Sequence, residues 1–277
     1  MNKRVSILLP SIRPKNLEKV CKSIADNAQG VRYEIVIVSP YALPEAIHKN
    51  PNVKYLRSYA TPTICYQLAA LISEGEFIYN LTDDGLLQNN CINLALETWE
   101  KEKLSDKDVI NMIYKESTLD PETLEYIPNN TSHHPPEYWT AGFHRDQRGL
   151  AGVDPNWKLP LCFFLKRKYY MWLGGFDCQF ENMAQAALDL SYRMAVNGAR
   201  VVDLPKDAFF LSHLPHITGD HRPIHEAFHG EDHQKFYAIY SRSIGPRDRI
   251  TIDFNNWMNH PPVWTRRFDP TNLPLNP

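Results

Sequence analysis

Two β-type apolar runs, each followed by a proline, set the frame of this chain. They are Val5-Ser6-Ile7-Leu8-Leu9 before Pro10 and Tyr33-Glu34-Ile35-Val36-Ile37-Val38-Ser39 before Pro40. Proline has no backbone N–H and cannot continue a sheet ladder, so both runs end sharply. A helical stretch lies between them, from about Leu17 to Ala28. Val53–Leu56 reads as a third short strand, Thr63–Ser73 as a helix closed by Gly75, and Phe77–Leu81 as a buried fourth strand. Strands alternating with helices at this spacing argue for βαβ units and a parallel sheet. The first half is thus an α/β layer of the nucleotide-binding type.

The fourth strand delivers Asp83-Asp84 at its C-terminal end, with Gly85 allowing a sharp turn. Ligands of open α/β sheets bind outside the carboxyl ends of the strands. Carboxylate oxygens suit hard cations such as Mg²⁺ or Mn²⁺, which commonly bridge phosphates. The pair is a candidate metal–diphosphate site, and the competing reading is an acidic turn. Farther along, Asn89–Lys103 reads as an amphipathic helix, Val109–Tyr114 and Leu161–Leu165 as strands, and Gln185–Asn197 as a helix stopped by Gly198. Arg200–Leu204 and Ala208–His213 complete the sheet.

These segments resemble the GT-A glycosyltransferases, specifically the family 2-like inverting enzymes, over roughly residues 4 to 213. The opening Val-Ser-Ile-Leu-Leu-Pro-Ser is similar to that family's first strand and nucleotide loop. Thr82-Asp83-Asp84 stands at its Asp-x-Asp position, Gly174-Gly175-Phe176-Asp177 resembles its acceptor-side segment, and Asp189-Leu190-Ser191-Tyr192-Arg193 with Gly198 resembles its Asp-Leu-x-x-Arg…Gly helix. The chain departs from the pattern at three places. Ser39 replaces the usual acid after the second strand, Thr82 replaces the first acid of Asp-x-Asp, and Ala186-Ala187 stand where a Glu-Asp pair is common.

The resemblance implies a GT-A type, Rossmann-like sheet with helices on both faces, plus a C-terminal extension. It implies transfer of a sugar from a nucleoside-diphosphate donor, UDP favoured, to an acceptor hydroxyl with inversion, using Mn²⁺ or Mg²⁺. Asp84 and His213 are the implied metal ligands. Pro10, Ser11, Arg13, Ser39, Gln67 and Asp83 are the nucleotide-side candidates, Arg13 because its fork can pair with phosphate. Acceptor hydroxyl attack needs a carboxylate base. Asp189 is the candidate and Glu181 the fallback, with an i,i+4 salt bridge from Asp189 to Arg193 as the competing reading. Residues 115–160, rich in Pro, Asn, His and Trp, form a long acceptor-side loop region. Its Trp157, Tyr138 and Trp139 are placed to stack on an acceptor or to pack the loop, and Gly175 and Asp177 join Trp157 on the acceptor side.

Composition sets outer bounds. At 277 residues and 43% hydrophobic content, one large domain with an extension is expected. A net charge of −2 gives no global nucleic-acid footprint. The five cysteines are odd in number and hold no Cys-x-x-Cys, which argues for reduced thiols and a cytoplasmic setting. The apolar run at the N-terminus is too short for a secretory signal or a membrane span. Residues 214–277 form a His- and Pro-rich extension, read as a lid or an oligomer contact. It holds a motif of another class, His225-Glu226-Ala227-Phe228-His229, the His-Glu-x-x-His of zinc proteases, with His233 as a third ligand. The alternatives to a transferase are therefore a zinc metalloprotease and a non-catalytic nucleotide-sugar binding protein.

Overall fold

The computed structural model describes residues 4–118, 160–213, 221–240, 247–250 and 260–273, with backbone alone for 115–118 and 210–213. Tyr138, Trp139, Trp157 and the side chain of His213 lie outside the described residues.

In chain order the elements are β1 (Arg4–Pro10), α1 (Leu17–Asp26), β2 (Arg32–Ser39), α2 (Glu45–His48), β3 (Val53–Arg57), α3 (Pro62–Ile72), β4 (Phe77–Asn80) and β5 (Gly85–Leu87). Then come α4 (Cys91–Lys101), β6 (Val109–Asn111), β7 (Tyr114–Thr118), β8 (Phe163–Lys166), α5 (Arg167–Leu173), α6 (Met183–Val196), β9 (Val201–Asp203) and β10 (Phe209–His213). The extension adds α7 (Arg222–Ala227) and α8 (His233–Ile239). The central sheet has seven strands in the order β3-β2-β1-β4-β8-β6-β9, and β5-β10-β7 form a small second sheet.

The expected parallel pairing holds for β1 with β2 and β4, and for β2 with β3. It fails at β8, which runs antiparallel to both β4 and β6. The sheet is therefore mixed. A run buried on both faces reads alike in either direction, and the connections decide which way it runs.

Helices cover both faces, and the strand residues divide between them with period two. Val5, Ile7 and Leu9 of β1 and Ile35 and Ile37 of β2 pack with Leu17, Val20, Cys21 and Ile24 of α1. Leu8, Val36 and Val38 pack on the other face with α3, α5 and α6. The α1 positions fall at the i, i+3, i+4, i+7 spacing of an amphipathic helix. Each fully buried aliphatic here contributes about 1.5–3 kcal/mol. Phe236 and Tyr240 of the extension belong to the same buried cluster as α3 and α6, so this part of the extension is core material.

The Gly174-Gly175 pair has a backbone cause. Gly174 ends α5 at φ +94°, and Gly175 follows at φ +65°. A Cβ on Gly175 would stand 2.2 Å from Gln67 Oε1. That oxygen already accepts from the Tyr170 hydroxyl at 2.8 Å and the Phe176 N–H at 3.1 Å, while Gln67 Nε2 donates to Gly174 O at 3.2 Å. Gln67 is thus an internal clamp on this turn, engaged away from the nucleotide face expected for it. Gly175→Ala adds a left-handed backbone cost of about 1–2 kcal/mol to the displacement of this clamp. The urea midpoint should fall accordingly, with an unchanged slope.

Candidate functional site

A cavity of about 230 Å³ opens where β1 and β4 end. Its floor is built on Asp83, which is 4% exposed. Asp83 Oδ2 accepts the Ser11 hydroxyl at 3.0 Å and the backbone N–H groups of Ile12 and Arg13, each at 2.9 Å. Its Oδ1 accepts from Arg13 Nη1 at 2.5 Å. One carboxylate therefore fixes the whole turn after β1. Burial pushes the Asp83 carboxyl above the usual range; Arg13 opposes that push and neighbouring Asp84 adds to it.

Asp84 also lines the cavity, with its Oδ2 at 3.4 Å from Arg13 Nη1. Arg13 Nη2 lies 3.5 Å from His221 Nε2. His221 and Arg267 of the extension line the same cavity, so three basic groups face the acidic pair. The wall is apolar, from Val38, Pro40, Ala60, Trp264 and Phe268 among others. The structure thus brings Pro10, Ser11, Arg13, Asp83 and Asp84 together. Ser39 is fully buried beside them and accepts the Tyr41 N–H at 3.2 Å; its neighbours Val38 and Pro40 line the cavity and it does not.

The two candidate bases differ sharply. Asp189 is 0% exposed and ringed by donors. Its Oδ2 accepts from Arg193 Nε at 3.0 Å and Nη2 at 2.6 Å, and its Oδ1 accepts the Tyr240 hydroxyl at 2.5 Å and Arg247 Nη2 at 2.6 Å. Burial alone would raise its pKa, but Arg193 and Arg247 outweigh that and hold the carboxyl below its usual range. A carboxylate with both oxygens saturated by these donors is unsuited to take a substrate proton. The i,i+4 pairing with Arg193 is the reading that the surroundings of Asp189 favour. Asp177 belongs to the same network, joined to Arg247 and accepting Gln179 N at 3.0 Å.

Glu181, on the turn before α6, is 19% exposed at its side chain. Its Oε2 accepts Trp264 Nε1 at 2.6 Å and Arg266 Nε at 2.7 Å. Its backbone N–H and those of Asn182 are held by buried Asp232, at 2.9 Å to Glu181 N and 2.8 Å to Asn182 N. Asn182 in turn caps α6 by accepting Gln185 N at 3.1 Å. Trp264 lines the cavity, so Glu181 is tied to its wall.

Sequence reasoning did not single out His221 or Trp264 for this site, and it reads Arg266-Arg267 as solvated surface or phosphate contacts. The available signal was the Arg266-Arg267 cluster beside a tryptophan, but its long separation from β1 hid its destination.

The protease-like motif is split by the backbone. Helix α7 ends at Ala227, and Phe228–Asp232 continue as a π-helical turn. The His225 and His229 rings lie parallel with centroids 6.3 Å apart, and Glu226 pairs with Arg222 at 2.8 Å. Among the described residues no three His, Cys, Asp or Glu side chains are placed to hold a metal ion, so His233 is not brought in as a third ligand. The five cysteines are free and buried. Among the described residues no helix is long and apolar enough to cross a membrane.

The architecture is an α/β fold of the GT-A type. In particular, the chain superposes on S. aureus TarS residues 1–349 with a TM-score of 0.55 and 14% identity, covering 76% of this chain and 60% of that one. It matches the complex of the same fragment with UDP at a TM-score of 0.50 and 12% identity, covering 80% and 64% of the two chains. The chain therefore spans about three fifths of the TarS fragment that it matches first. No protein-family model and no curated protein matches the chain.

Proposed function

We propose that this chain is a glycosyltransferase that moves a sugar from a nucleoside diphosphate, UDP in first place, to an acceptor hydroxyl with inversion. The observation that carries this reading is the cluster at the ends of β1 and β4. There a buried Asp83 pins the Ser11–Arg13 turn, and Asp84, Arg13, His221 and Arg267 share one cavity. A diphosphate needs such a mixture of cations and hydrogen-bond donors, and GT-A architecture supports the choice. The solved complex of TarS with UDP favours uridine among the nucleotides to try.

The donor set fits a divalent cation. Asp84 offers hard oxygens on the cavity wall, while Asp83 is engaged by the turn. Mg²⁺-type sites often use one or two carboxylates and complete their shell with phosphate oxygens and water. Bound there, Mn²⁺ or Mg²⁺ would neutralise charge developing on the leaving diphosphate. His213 ends β10 and stays the second candidate ligand.

Chain residues supply the rest. Arg13 presents a planar fork for phosphate oxygens, and Arg267 adds charge from the same cavity. Glu181 takes the proton from the acceptor hydroxyl, held in place through Oε2 by Trp264 and Arg266. The acceptor oxygen forms a bond to the anomeric carbon, and the bond to diphosphate breaks with its electron pair leaving on the diphosphate. This single displacement inverts the centre.

Glu181→Gln should lower kcat by about 10²–10⁴-fold while leaving the Kd for UDP unchanged. A thermal-shift panel tests the function as a whole. UDP, GDP and their sugars, with Mn²⁺, should raise the Tm; at about 100-fold excess over Kd the gain is about 2.7 kcal/mol. If no nucleoside diphosphate stabilises the chain, the transferase reading fails. Stabilisation without turnover of any acceptor points to a binding protein. Stabilisation by zinc alone, with peptide cleavage, points to the protease.

A further inference from the structure

The guanidinium of Arg13 lies against the acidic pair that a divalent cation would have to approach. Its Nη1 is 2.5 Å from Asp83 Oδ1 and 3.4 Å from Asp84 Oδ2, and its side chain is 13% exposed. The Asp83 clamp keeps three other donors when the Arg13 charge is removed. Ser11 Oγ, Ile12 N and Arg13 N hold Asp83 through groups that remain whatever side chain stands at position 13. A cation on Asp84 would lie within a few ångströms of Arg13, and like charges repel strongly in a partly buried cavity. A diphosphate reverses that balance, since it offers oxygens to the fork and negative charge to both cations.

We infer that Arg13 is an internal counter-ion that stands in for the metal: it occupies the acidic pair in the absence of nucleotide, and turns to the diphosphate when donor and cation arrive together. This rests on the reading of the cavity as a nucleoside-diphosphate site. Arg13 is a diphosphate-binding residue in this scheme. Its consequence is a penalty on metal binding alone that nucleotide removes, and the coupling is reciprocal for the two ligands.

The test is a titration of the full chain with Mn²⁺, read from the electron paramagnetic resonance of the free ion, with and without saturating UDP or GDP. Arg13→Gln should bind Mn²⁺ alone about tenfold more tightly than the wild type, and the further tightening by UDP should shrink. Arg13→Lys keeps the charge and should stay near the wild type. Arg13→Met provides a second neutral variant with the same expectation as the glutamine. The inference is overturned if both neutral variants bind Mn²⁺ alone no more tightly than the wild type, or if the lysine variant behaves like them. A wild type that binds neither UDP nor GDP at any Mn²⁺ concentration overturns the site reading and this inference together. Nucleotide binding with an unchanged Mn²⁺ affinity in Arg13→Gln and Arg13→Met overturns the role of Arg13 alone.

Discussion

Replacing Asp84 with alanine is expected to cut sugar transfer by at least about 10²–10³-fold and to remove the Mn²⁺-dependent part of UDP stabilisation. The fold should survive, because the architecture of the turn rests on the neighbouring carboxylate. Asp83 receives the Ser11 hydroxyl, two backbone N–H groups and the Arg13 side chain, whereas Asp84 Oδ2 stands 3.4 Å from Arg13 Nη1. Asp83→Ala serves as the contrast. It would unhook the turn, so nucleotide binding and stability should fall together, with or without metal. Turnover by Asp84→Ala equal to the wild type would remove the metal assignment, and a thermal shift with UDP that keeps its Mn²⁺ dependence would do the same.

The resemblance assigns the metal to Asp84 and the nucleotide side to Asp83, but that Asp83 clamps the turn after β1 could not be read from the chain. Adjacent carboxylates after an apolar strand announce a strand-end acidic site, and the run Phe77–Leu81 placed it correctly beside β1. Which carboxylate turns inward depends on the backbone at β1's end, more than seventy residues earlier, where Ser11, Ile12 and Arg13 converge on one oxygen. The strands of the first half were legible for a simple reason. Val5–Leu9 and Ile35–Val38 are buried on both faces and are followed by prolines, so burial and breakage coincide. The direction of β8 was not legible, because Phe163-Phe164-Leu165 carries no polarity and the sequence before it has little periodicity.

The site's far wall was hidden for a related reason. His221, Trp264 and Arg267 sit in a stretch of irregular composition, where periodicity gives no register. Only the packed molecule shows that Trp264 donates to Glu181 and that Asp232 caps the turn bearing Glu181. The Ala186-Ala187 departure also gains a physical context. Both residues are fully buried against the core, so these positions serve packing. Under the proposed function a base comes from elsewhere, and the adjacent turn carrying Glu181 is tied to the cavity wall.

The same logic predicts the largest stability loss in the molecule at the Asp189–Arg193 pair. Both side chains are 0% exposed, and Arg193 also donates to Leu173 O and Gly175 O, each at 2.6 Å. Removing one partner of a buried pair strands the other charge, at a cost of about 3–5 kcal/mol. For a chain of this size Arg193→Ala should lower the Tm by about 10 °C or more. Asp189→Asn should also be destabilised, since Arg193 and Arg247 then face a neutral amide. Linkage gives the pH dependence. Asp189 has a folded pKa below its unfolded value, so its contribution is complete above about pH 4, the unfolded carboxylate value, and fades as pH falls through the depressed folded one. The gap in stability between wild type and Asp189→Asn should therefore be wide at pH 7 and narrow in strong acid. Urea unfolding of both proteins from pH 7 down to pH 3 measures it. At a temperature where the variant stays folded, its kcat should lie within about tenfold of the wild type, whereas Glu181→Gln should lose about 10²–10⁴-fold. A stable Asp189→Asn with transfer abolished would return the base to Asp189 and overturn the ion-pair assignment.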